Sequence, residues 1–461
     1  MKNYASFNAI ELLAIFGDSC DGFTSEWSSV GVSTDSRTIE QGNIFVALKG
    51  EKYDGHDNIP EAIAKGASAI IVSTKYISTA DIPTIAVPDT LIALGELATF
   101  HRNRYNFPVI AVAGSNGKTS TKELIYSILS QRYRCLRTYK NFNNTIGVPQ
   151  MLLQFSNDYD MAIIEIGTNM PGEISTLSNM VRPTYGIITN IGKEHLELLT
   201  DLDLVEIEET FLLGYLLNSN GKCFINADDL RLSKYRRVMI NYLSYGIDSD
   251  ADFNAAIEFD EHLHPTITFT LPSDTRSYKA TLQAVGLAIA HNAVAAAAVG
   301  YGMGLSGDEI VAGLNAYVAA SDGYARMVIE EIGGNRILND CYNANPSSMV
   351  MSLKTLSMMR DSEYKVAVLG DMFELGDATL AEHIEVIEYS LMVADKVLLI
   401  GDNMLVAADS IQKQMHKIIH FSEVSEIATY IKDVLPTNCD ILVKASRGMR
   451  LETLINLLKN N

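Results

Sequence analysis

The stretch "VIAVAGSNGKTSTKELI", residues 109–125, decides how this chain folds. Its first five residues are apolar and mostly β-branched, which predicts a buried strand. From Thr121 onward apolar residues recur at helical spacing and predict a helix. Two glycines and a Lys-Thr pair lie between them, as in a phosphate-binding loop, although Val112 stands where the usual pattern has its first glycine.

The residue types in this turn suit a nucleotide phosphate. Gly114 and Gly117 allow backbone N–H groups to approach an anion closely. Lys118 is long enough to reach the terminal phosphates, and the Thr119 hydroxyl is a ligand for Mg²⁺. An ordinary strand-to-helix turn is the alternative, but the strand before and the helix after favour the phosphate-binding interpretation.

Composition limits the function classes. The 461 residues, 47% of them hydrophobic, leave room for about three domains with cores of their own. A net charge of -20 argues against a nucleic-acid partner or an anionic-membrane surface. The five cysteines show no C-x-x-C spacing, and we find neither a signal-peptide pattern nor a membrane-length apolar stretch. We therefore expect a cytoplasmic protein without membrane insertion.

Apolar runs alternate with helical patterns along the whole chain, which predicts an α/β protein of three domains. Residues 1–105 are expected to form a small α/β domain, residues 106–322 a parallel sheet like that of P-loop ATPases, and residues 323–461 a Rossmann-like α/β domain. The predicted strands are 43–48, 68–73 and 83–87, then 109–113, 161–167, 185–192 and 222–226, and finally 336–340, 365–371, 396–402 and 440–446.

Polar side chains follow the central strands. Glu165 lies at the end of one predicted strand, and His195 lies shortly after the next. Because ligands of parallel sheets collect at the carboxyl ends of the strands, both residues are candidate metal ligands beside Lys118 and Thr119. Each also has a structural alternative, since a glutamate often caps a helix or forms an ion pair and a single histidine is often a packed residue.

Four further segments carry polar groups. "KNFNNTIGVP" (140–149) suits a polar substrate, or is simply an asparagine-rich turn. "DCYNANPSSM" (340–349) follows a strand and offers a rigid polar ledge, and "GDMFELGD" (370–377) places Asp371 and Glu374 at another strand end. "VKASRGMRLE" (443–452) supplies basic groups for an anion, or a solvated face.

These residues resemble the Mur ligases, the ATP-dependent amide-forming family of peptidoglycan assembly. The segments that carry the resemblance extend over nearly the whole chain: "STDSRTIEQGNIFVALKG" (33–50), "DGH" (54–56), "GSNGKTS" (114–120), "NFNNTIGVP" (141–149), "EIGTNMPGEI" (165–174), "ITNIGKEHLE" (188–197), "YNANPSSM" (342–349) and "GDMFELG" (370–376). Within the family the chain is most similar to the member that adds D-alanyl-D-alanine.

The resemblance implies a reaction. ATP phosphorylates the terminal carboxylate of a UDP-N-acetylmuramoyl-tripeptide, and the amine of D-alanyl-D-alanine attacks the resulting acyl phosphate. Lys118 and Mg²⁺ would offset charge on the transferred phosphoryl group. ATP and Mg²⁺ are the expected cofactors, and a monomer is the expected state because the family generally works as monomers.

The resemblance also assigns roles to individual residues. The nucleotide would be held by Gly114, Ser115, Asn116, Gly117, Lys118, Thr119, Ser120, Asn292, Arg326 and Asp340. The uridine nucleotide would contact Asp35, Ser36 and Arg37, and the muramoyl-peptide Asn144 and Thr145. Tyr342, Asn343, Asn345 and Pro346 would lie where the last domain closes over the nucleotide and the incoming dipeptide, which would exclude water.

The chain departs from the family at one metal ligand. Members carry a carbamylated lysine, a metal-binding carboxylate, a short helix beyond the metal histidine, but residues 196–221 contain no lysine. Alignment places Glu209 there, with Glu206 and Glu208 nearby. A glutamate is also a carboxylate, so Glu209 is expected to complete the metal ligands Thr119, Glu165 and His195.

Other departures leave alternatives open. Residues 196–204, "LELLTDLDL", lack the glycines common there, and Ala325 replaces a glycine usual before the arginine. A related Mur-type ligase with another amino-acid or dipeptide substrate, a folylpolyglutamate synthetase-like ligase, and a nucleotide-binding homologue that has lost turnover are the alternatives. The third residue of the tripeptide, diaminopimelate or lysine, depends on pocket shape.

Overall fold

The structure is a computed structural model that describes residues 2–76, 81–272, 274–319, 327–359, 362, 364–411 and 414–459. These residues form two compact units. The first holds the chain up to Ala111 together with Tyr133–Gly167 and Gly172–Tyr185; the second holds Val112–Arg132, Thr168–Pro171 and the chain from Gly186 onward. Three sheets with flanking helices confirm the predicted α/β class. The predicted domain boundaries stay predictions.

The first sheet has five short strands in the order β1-β5-β4-β3-β2. Only β1 runs antiparallel to its neighbour; the other pairs are parallel. The strands are β1 (Cys20–Asp21), β2 (Val32–Ser33), β3 (Ile44–Val46), β4 (Ala69–Ser73) and β5 (Thr84–Val87), and the helices are α1 (Ala9–Phe16), α2 (Ile59–Ala64) and α3 (Thr90–Arg102). The three runs predicted here are confirmed as β3, β4 and β5.

The second sheet has nine strands in the order β14-β13-β12-β11-β10-β9-β6-β8-β7. The strands are β6 (Val109–Ala113), β7 (Cys135–Arg137), β8 (Met161–Glu165), β9 (Tyr185–Ile188), β10 (Lys222–Asn226), β11 (Tyr242–Gly246), β12 (Phe253–Phe259), β13 (Pro265–Leu271) and β14 (Asp274–Thr281). The helices are α4 (Lys118–Leu129), α5 (Gly147–Leu152), α6 (Glu173–Val181), α7 (Leu196–Leu199), α8 (Leu202–Ser219), α9 (Leu230–Ser233), α10 (Leu287–Gly302) and α11 (Gly307–Asn315).

The pairs β7–β8, β10–β11 and β11–β12 are parallel, as predicted for this part of the chain. The sheet then continues with an antiparallel extension, β12 to β14, that the sequence analysis did not identify. Buried and more exposed residues alternate along β13, the pattern of a strand with only one covered face. Helix α4 begins at Lys118, three residues before the periodic pattern, because Gly117 ends the turn there.

The third sheet has six strands in the order β15-β16-β20-β17-β18-β19, and only β15 is antiparallel to its neighbour. The strands are β15 (Val328–Ile332), β16 (Asn335–Asn339), β17 (Lys365–Gly370), β18 (Lys396–Ile400), β19 (Ile418–Phe421) and β20 (Asp440–Lys444). The helices are α12 (Pro346–Met358), α13 (Thr379–Val393), α14 (Asp402–Asp409), α15 (Val424–Asp433) and α16 (Glu452–Lys459). The four runs predicted here are confirmed as strands. Among the described helices, none is long and apolar enough to cross a bilayer.

Helix α4 is fixed by close packing against α10 and α11. Gly300 and Gly313 allow these helices to approach Ile128, since a Cβ atom on Gly313 would lie 2.3 Å from Ile128 Cα. Ser127 Oγ donates to Gly313 O at 2.6 Å across the same contact. The helix that follows the glycine turn is therefore anchored along its far half.

We expect Gly313→Ala to lower the free energy of unfolding by about 1–3 kcal/mol, because the new methyl group meets the backbone of α4. Gly214→Ala in α8 is the matched control: its Cβ would have nothing within 4 Å, so helix propensity should raise stability by about 0.5–1 kcal/mol. Urea denaturation measures both. Equal stability of Gly313→Ala and the parent would contradict this packing.

Candidate active site

Two glycines shape the turn between β6 and α4. Gly114 and Gly117 have φ values of +114° and +80°, in the region that favours glycine. A Cβ atom on Gly114 would lie 2.3 Å from Thr189 Oγ1. One on Gly117 would lie 2.4 Å from Asn292 Oδ1. Since no side chain in the described chain caps α4 at Gly117, the helix N terminus favours an anion at this turn.

A second loop, residues 189–192, holds the glycine turn in place. Ser115 Oγ accepts a hydrogen bond from Gly192 N–H at 2.8 Å. Asn116 N–H donates to Asn190 Oδ1 at 3.1 Å, and Asn190 Nδ2 donates back to Asn116 O at 2.9 Å. Hydrogen bonds from Asn190 and from the backbone of Gly192 thus hold the backbone of the turn in place.

Lys118 and two glutamates meet at the same turn. Lys118 Nζ donates to Gly114 O at 2.5 Å and lies 3.5 Å from Glu194 Oε2. Glu209, on α8, accepts the Gly114 N–H at 2.7 Å through Oε2. Both glutamates are buried, and Glu209 is completely inaccessible. The predicted replacement for the family's lysine therefore lies directly against the phosphate loop.

The two glutamates form a buried acidic pair. Oε1 of Glu194 and Oε1 of Glu209 accept no hydrogen bond from the described residues. Burial raises the pKa of Glu209 against the attraction of Lys118, and the nearby Glu194 raises it further. A bound cation, or a proton shared between the carboxyl groups, would lower the energy of such a pair.

His195 lies between the acidic pair and a third carboxylate. Its φ of 49° places it in the left-handed region, directly before α7. Nδ1 lies 2.6 Å from Glu374 Oε2, and Nε2 lies 3.9 Å from Glu194 Oε2. The hydrogen bond from His195 lowers the pKa of Glu374. The same oxygen of Glu194 lies 3.5 Å from Lys118 Nζ, so the structure places His195 and Lys118 on either side of this carboxylate.

Glu165 belongs to the first unit, where it ends β8 and is almost completely buried. Its Oε1 accepts a hydrogen bond from Asn143 Nδ2 at 2.8 Å, and its N–H donates to Thr138 Oγ1 at 2.9 Å. The asparagine-rich segment singled out in the sequence thus contacts the candidate metal ligand. Asn144 lies on the same turn, where its Oδ1 accepts the N–H of Gly147 at 2.9 Å.

The segment before α12 reaches the phosphate loop. Asn345 caps α12 and donates from Nδ2 to Asn116 Oδ1 at 2.9 Å. Pro346 occupies the first turn of that helix. Ser347 Oγ accepts the N–H of Lys193 at 3.1 Å. The polar ledge predicted from "YNANPSSM" therefore lies against the loop that is expected to hold the nucleotide.

Asp340 forms a buried ion pair in the third sheet. Its Oδ2 lies 2.6 Å from Lys444 Nζ and accepts a hydrogen bond from Ser352 Oγ at 2.7 Å. Lys444 Nζ also donates to Asn343 O at 2.8 Å. Asp340, which the resemblance assigns to the nucleotide, therefore also forms an ion pair with Lys444 within the third sheet.

The remaining predicted residues are spread over the described chain. Asp35 and Arg37 form an ion pair at 2.8 Å, and Ser36 Oγ donates to Glu61 Oε2 at 2.6 Å. The predicted residues with partly buried side chains include Thr119, Ser120, Thr145 and Tyr342. Arg326 lies outside the described residues.

Sequence reasoning missed Lys193 and Glu194, although "GKEH" places both charges directly before the predicted metal histidine. Lys193 Nζ lies 2.9 Å from Glu382 and 2.8 Å from Glu385. Within the described chain no group of three or more His, Cys, Asp or Glu side chains is arranged to hold a metal. Phosphate oxygens and water would have to complete the ligands of any ion here.

We expect Lys444→Met to lower the free energy of unfolding by about 3–5 kcal/mol, because it leaves the Asp340 carboxylate without its ammonium partner. Adding Asp340→Asn should recover part of the loss. Arg134→Ala, which removes an exposed ion pair with Asp160, is the control and should change stability by only about 0–1 kcal/mol. Denaturant titration gives all three values, and equal effects of Lys444→Met and Arg134→Ala would contradict the assignment.

Models of three Mur ligase domains match the chain. "Mur ligase family, catalytic domain" covers residues 29–102, "Mur ligase middle domain" residues 112–300, and "Mur ligase, glutamate ligase domain" residues 326–447. These regions contain the glycine turn, both loops that contact it and the Asp340–Lys444 pair.

Named relatives match over almost their full length. The UDP-N-acetylmuramoyl-tripeptide--D-alanyl-D-alanine ligase of Escherichia coli is 35% identical over 93% of this chain and 94% of its own. The enzyme of the same name from Bacillus subtilis is 31% identical over 92% of each chain. A crystal structure of MurF from Acinetobacter baumannii is 29% identical over 99% of both chains, with a TM-score of 0.89. The MurF ligase of Thermotoga maritima in complex with ADP is 25% identical over 93% of this chain and 96% of its own, with a TM-score of 0.82. On these matches and on the glycine turn at the head of α4, this chain is an enzyme that belongs to the Mur ligase family.

Proposed function

We propose that this ligase joins D-alanyl-D-alanine to a UDP-N-acetylmuramoyl-tripeptide at the expense of ATP. The observation that carries the proposal is the turn at Gly114 and Gly117, where the N terminus of α4 and the ammonium group of Lys118 are placed to attract a phosphate. The names of the E. coli and B. subtilis relatives support the two substrates. The ADP complex of the T. maritima relative supports the nucleotide.

The chain's own groups fit phosphoryl transfer to a carboxylate. Lys118 and the N terminus of α4 offset negative charge on the transferred phosphoryl group. The amine of the dipeptide then attacks the acyl phosphate, and a tetrahedral intermediate releases phosphate. No covalent enzyme nucleophile is required, so positioning and charge supply the catalysis.

Mg²⁺ fits the acidic groups near the turn, because carboxylates are its preferred protein ligands and two buried carboxyl oxygens there accept no hydrogen bond from the described residues. Thr119, His195 and Glu209, which belong to the same unit, would hold it together with phosphate oxygens and water. When bound, the ion neutralises phosphate charge and brings two anions together. Lys118 remains beside Glu194, which keeps the ammonium group at the turn.

Substrate contacts follow the family's motifs. The uridine nucleotide would be bound by Asp35, Ser36 and Arg37, and the muramoyl-peptide by Asn144 and Thr145. The adenine and ribose or the γ-phosphate of ATP would be bound by Asn292, Arg326 and Asp340. The segment that closes over the nucleotide and the incoming dipeptide would contribute Tyr342, Asn343, Asn345 and Pro346. The hydrogen bond from Asn345 to Asn116 supports closure of the last segment over the nucleotide. Closure of this kind excludes water from the acyl phosphate.

We also propose that the enzyme acts in the cytoplasm, where its nucleotide substrates are made, and that it acts as a monomer. All five cysteines are free thiols in the structure, which fits a reducing compartment.

The reaction is tested by phosphate release with ATP, Mg²⁺, the tripeptide nucleotide and D-alanyl-D-alanine, each omitted in turn, with mass analysis of the product. We expect release only with all four components and a pentapeptide product. Lys118→Ala should lower the rate by about 100-fold or more, because the developing phosphoryl charge loses its ammonium group. Release without the dipeptide, or a product of another mass, would overturn the proposed substrates.

Glu209 can be tested against its structural role. If Glu209 is a metal ligand, Glu209→Ala should abolish activity at limiting Mg²⁺, and the parent's activity should not depend on bicarbonate. Glu209→Gln is the matched variant, since an amide oxygen still accepts the Gly114 N–H but carries no charge. Full activity of Glu209→Gln with an unchanged Mg²⁺ requirement would show that Glu209 only supports the loop.

A further inference from the structure

The loop that follows β17, residues 371–376, is held in place by hydrogen bonds to α13 and to the segment after β20. Met372 N–H donates to His383 Nε2 at 3.0 Å, and His383 Nδ1 donates to Thr379 O at 2.6 Å. Phe373 N–H donates to Ser446 Oγ at 2.9 Å. His383 is completely buried, so this tether is not shared with solvent. The loop therefore presents Glu374 in a defined position.

Glu374 meets His195 through side chain and backbone together. Its Oε2 lies 2.6 Å from His195 Nδ1, and its carbonyl oxygen accepts the N–H of Glu197 at 3.0 Å. Both Glu374 and His195 adopt left-handed backbone, with φ values of 62° and 49°. Two non-glycine residues in this region, facing each other, indicate a geometry that the surrounding contacts impose.

The contact fixes which nitrogen of His195 carries the proton. A carboxylate accepts a hydrogen bond, so Nδ1 is the donor in this contact, and Nε2 is the nitrogen left for a metal ion. Nε2 lies 3.9 Å from Glu194 Oε2, and the same oxygen lies 3.5 Å from Lys118 Nζ. A carboxylate behind a metal-binding histidine orients the ring and raises its basicity.

We infer that Glu374 is a positioning residue that holds His195 in the metal-ligating tautomer, so that docking of the 371–376 loop prepares the phosphate site for its cation. The inference rests on the proposed metal role of His195. The two residues lie on loops of different sheets, so a cation that binds the oriented ring would favour their contact, and the contact would favour the cation to the same extent.

Two measurements test it. The ¹⁵N imidazole spectrum of the metal-free protein, with the His195 signal assigned by its loss in His195→Asn, reports the tautomer. Calorimetric titration with Mn²⁺, in the presence of a non-hydrolysable ATP analogue, reports the cation affinity. Glu374→Ala should shift His195 towards the Nε2–H tautomer and weaken Mn²⁺ binding about 10-fold. Glu374→Gln, which still accepts the hydrogen bond, should restore the tautomer and much of the affinity.

Glu385→Ala is the matched control. Glu385 lies on α13, shortly after Glu374 in the sequence, and its exposed carboxylate pairs with Lys193 rather than with His195. It should leave the tautomer and the Mn²⁺ affinity unchanged. A Glu374→Ala protein that keeps both, while His195→Asn loses Mn²⁺ affinity, would overturn the positioning role alone. If His195→Asn binds Mn²⁺ as tightly as the parent, the proposed metal role fails, and the inference fails with it.

Discussion

The absence of side chains at Gly114 and Gly117 is the constraint on which the site depends. At both positions a Cβ atom would collide with a neighbouring loop or helix, so only glycine lets the turn pack this closely against them. Residues 189–192 contact it on one side and Asn292 on the other. A turn with this many fixed neighbours is preorganised, and a phosphate would bind without the entropic cost of ordering it.

The electrostatics of the turn are balanced rather than simply positive. Glu209 uses the Gly114 N–H, a donor that would otherwise face an anion, and Glu194 lies beside the ammonium group of Lys118. Burying a carboxylate so deeply is costly unless a positive charge or a proton accompanies it. Lys118 supplies part of that compensation, so the charge of the loop and the acidic pair behind it are interdependent. The two carboxyl oxygens of this pair that accept no hydrogen bond from the described residues are the atoms to which the proposed cation would bind.

The sequence predicted the α/β class and most of the parallel strands, but not which side chains pair at the site. Strands were identified because completely buried parallel strands are short apolar runs, as at residues 222–226 and 365–370. The start of α4 was placed late because a helix that begins in a glycine turn has no apolar residue in its first turn. The contacts of Glu374 and Lys193 could not be read from the sequence, since periodicity reports which face is buried and carries no information on which distant loop lies opposite. The motifs selected segments that contain the residues around the glycine turn, and only the fold decides which side chains meet.

Local strain points to the same place as the chemistry. Non-glycine residues in left-handed backbone are uncommon and cost free energy, and they persist where the surroundings determine the conformation. His195 has this conformation at the start of α7, and Glu374 has it in a loop fixed by His383 and Ser446. Both residues also hold the first turn of α7, since the His195 carbonyl accepts the N–H groups of Leu198 and Leu199 and the Glu374 carbonyl accepts that of Glu197. The two conformations also bring an imidazole and a carboxylate to 2.6 Å, so the contacts that form α7 place this pair beside the glycine turn at the same time.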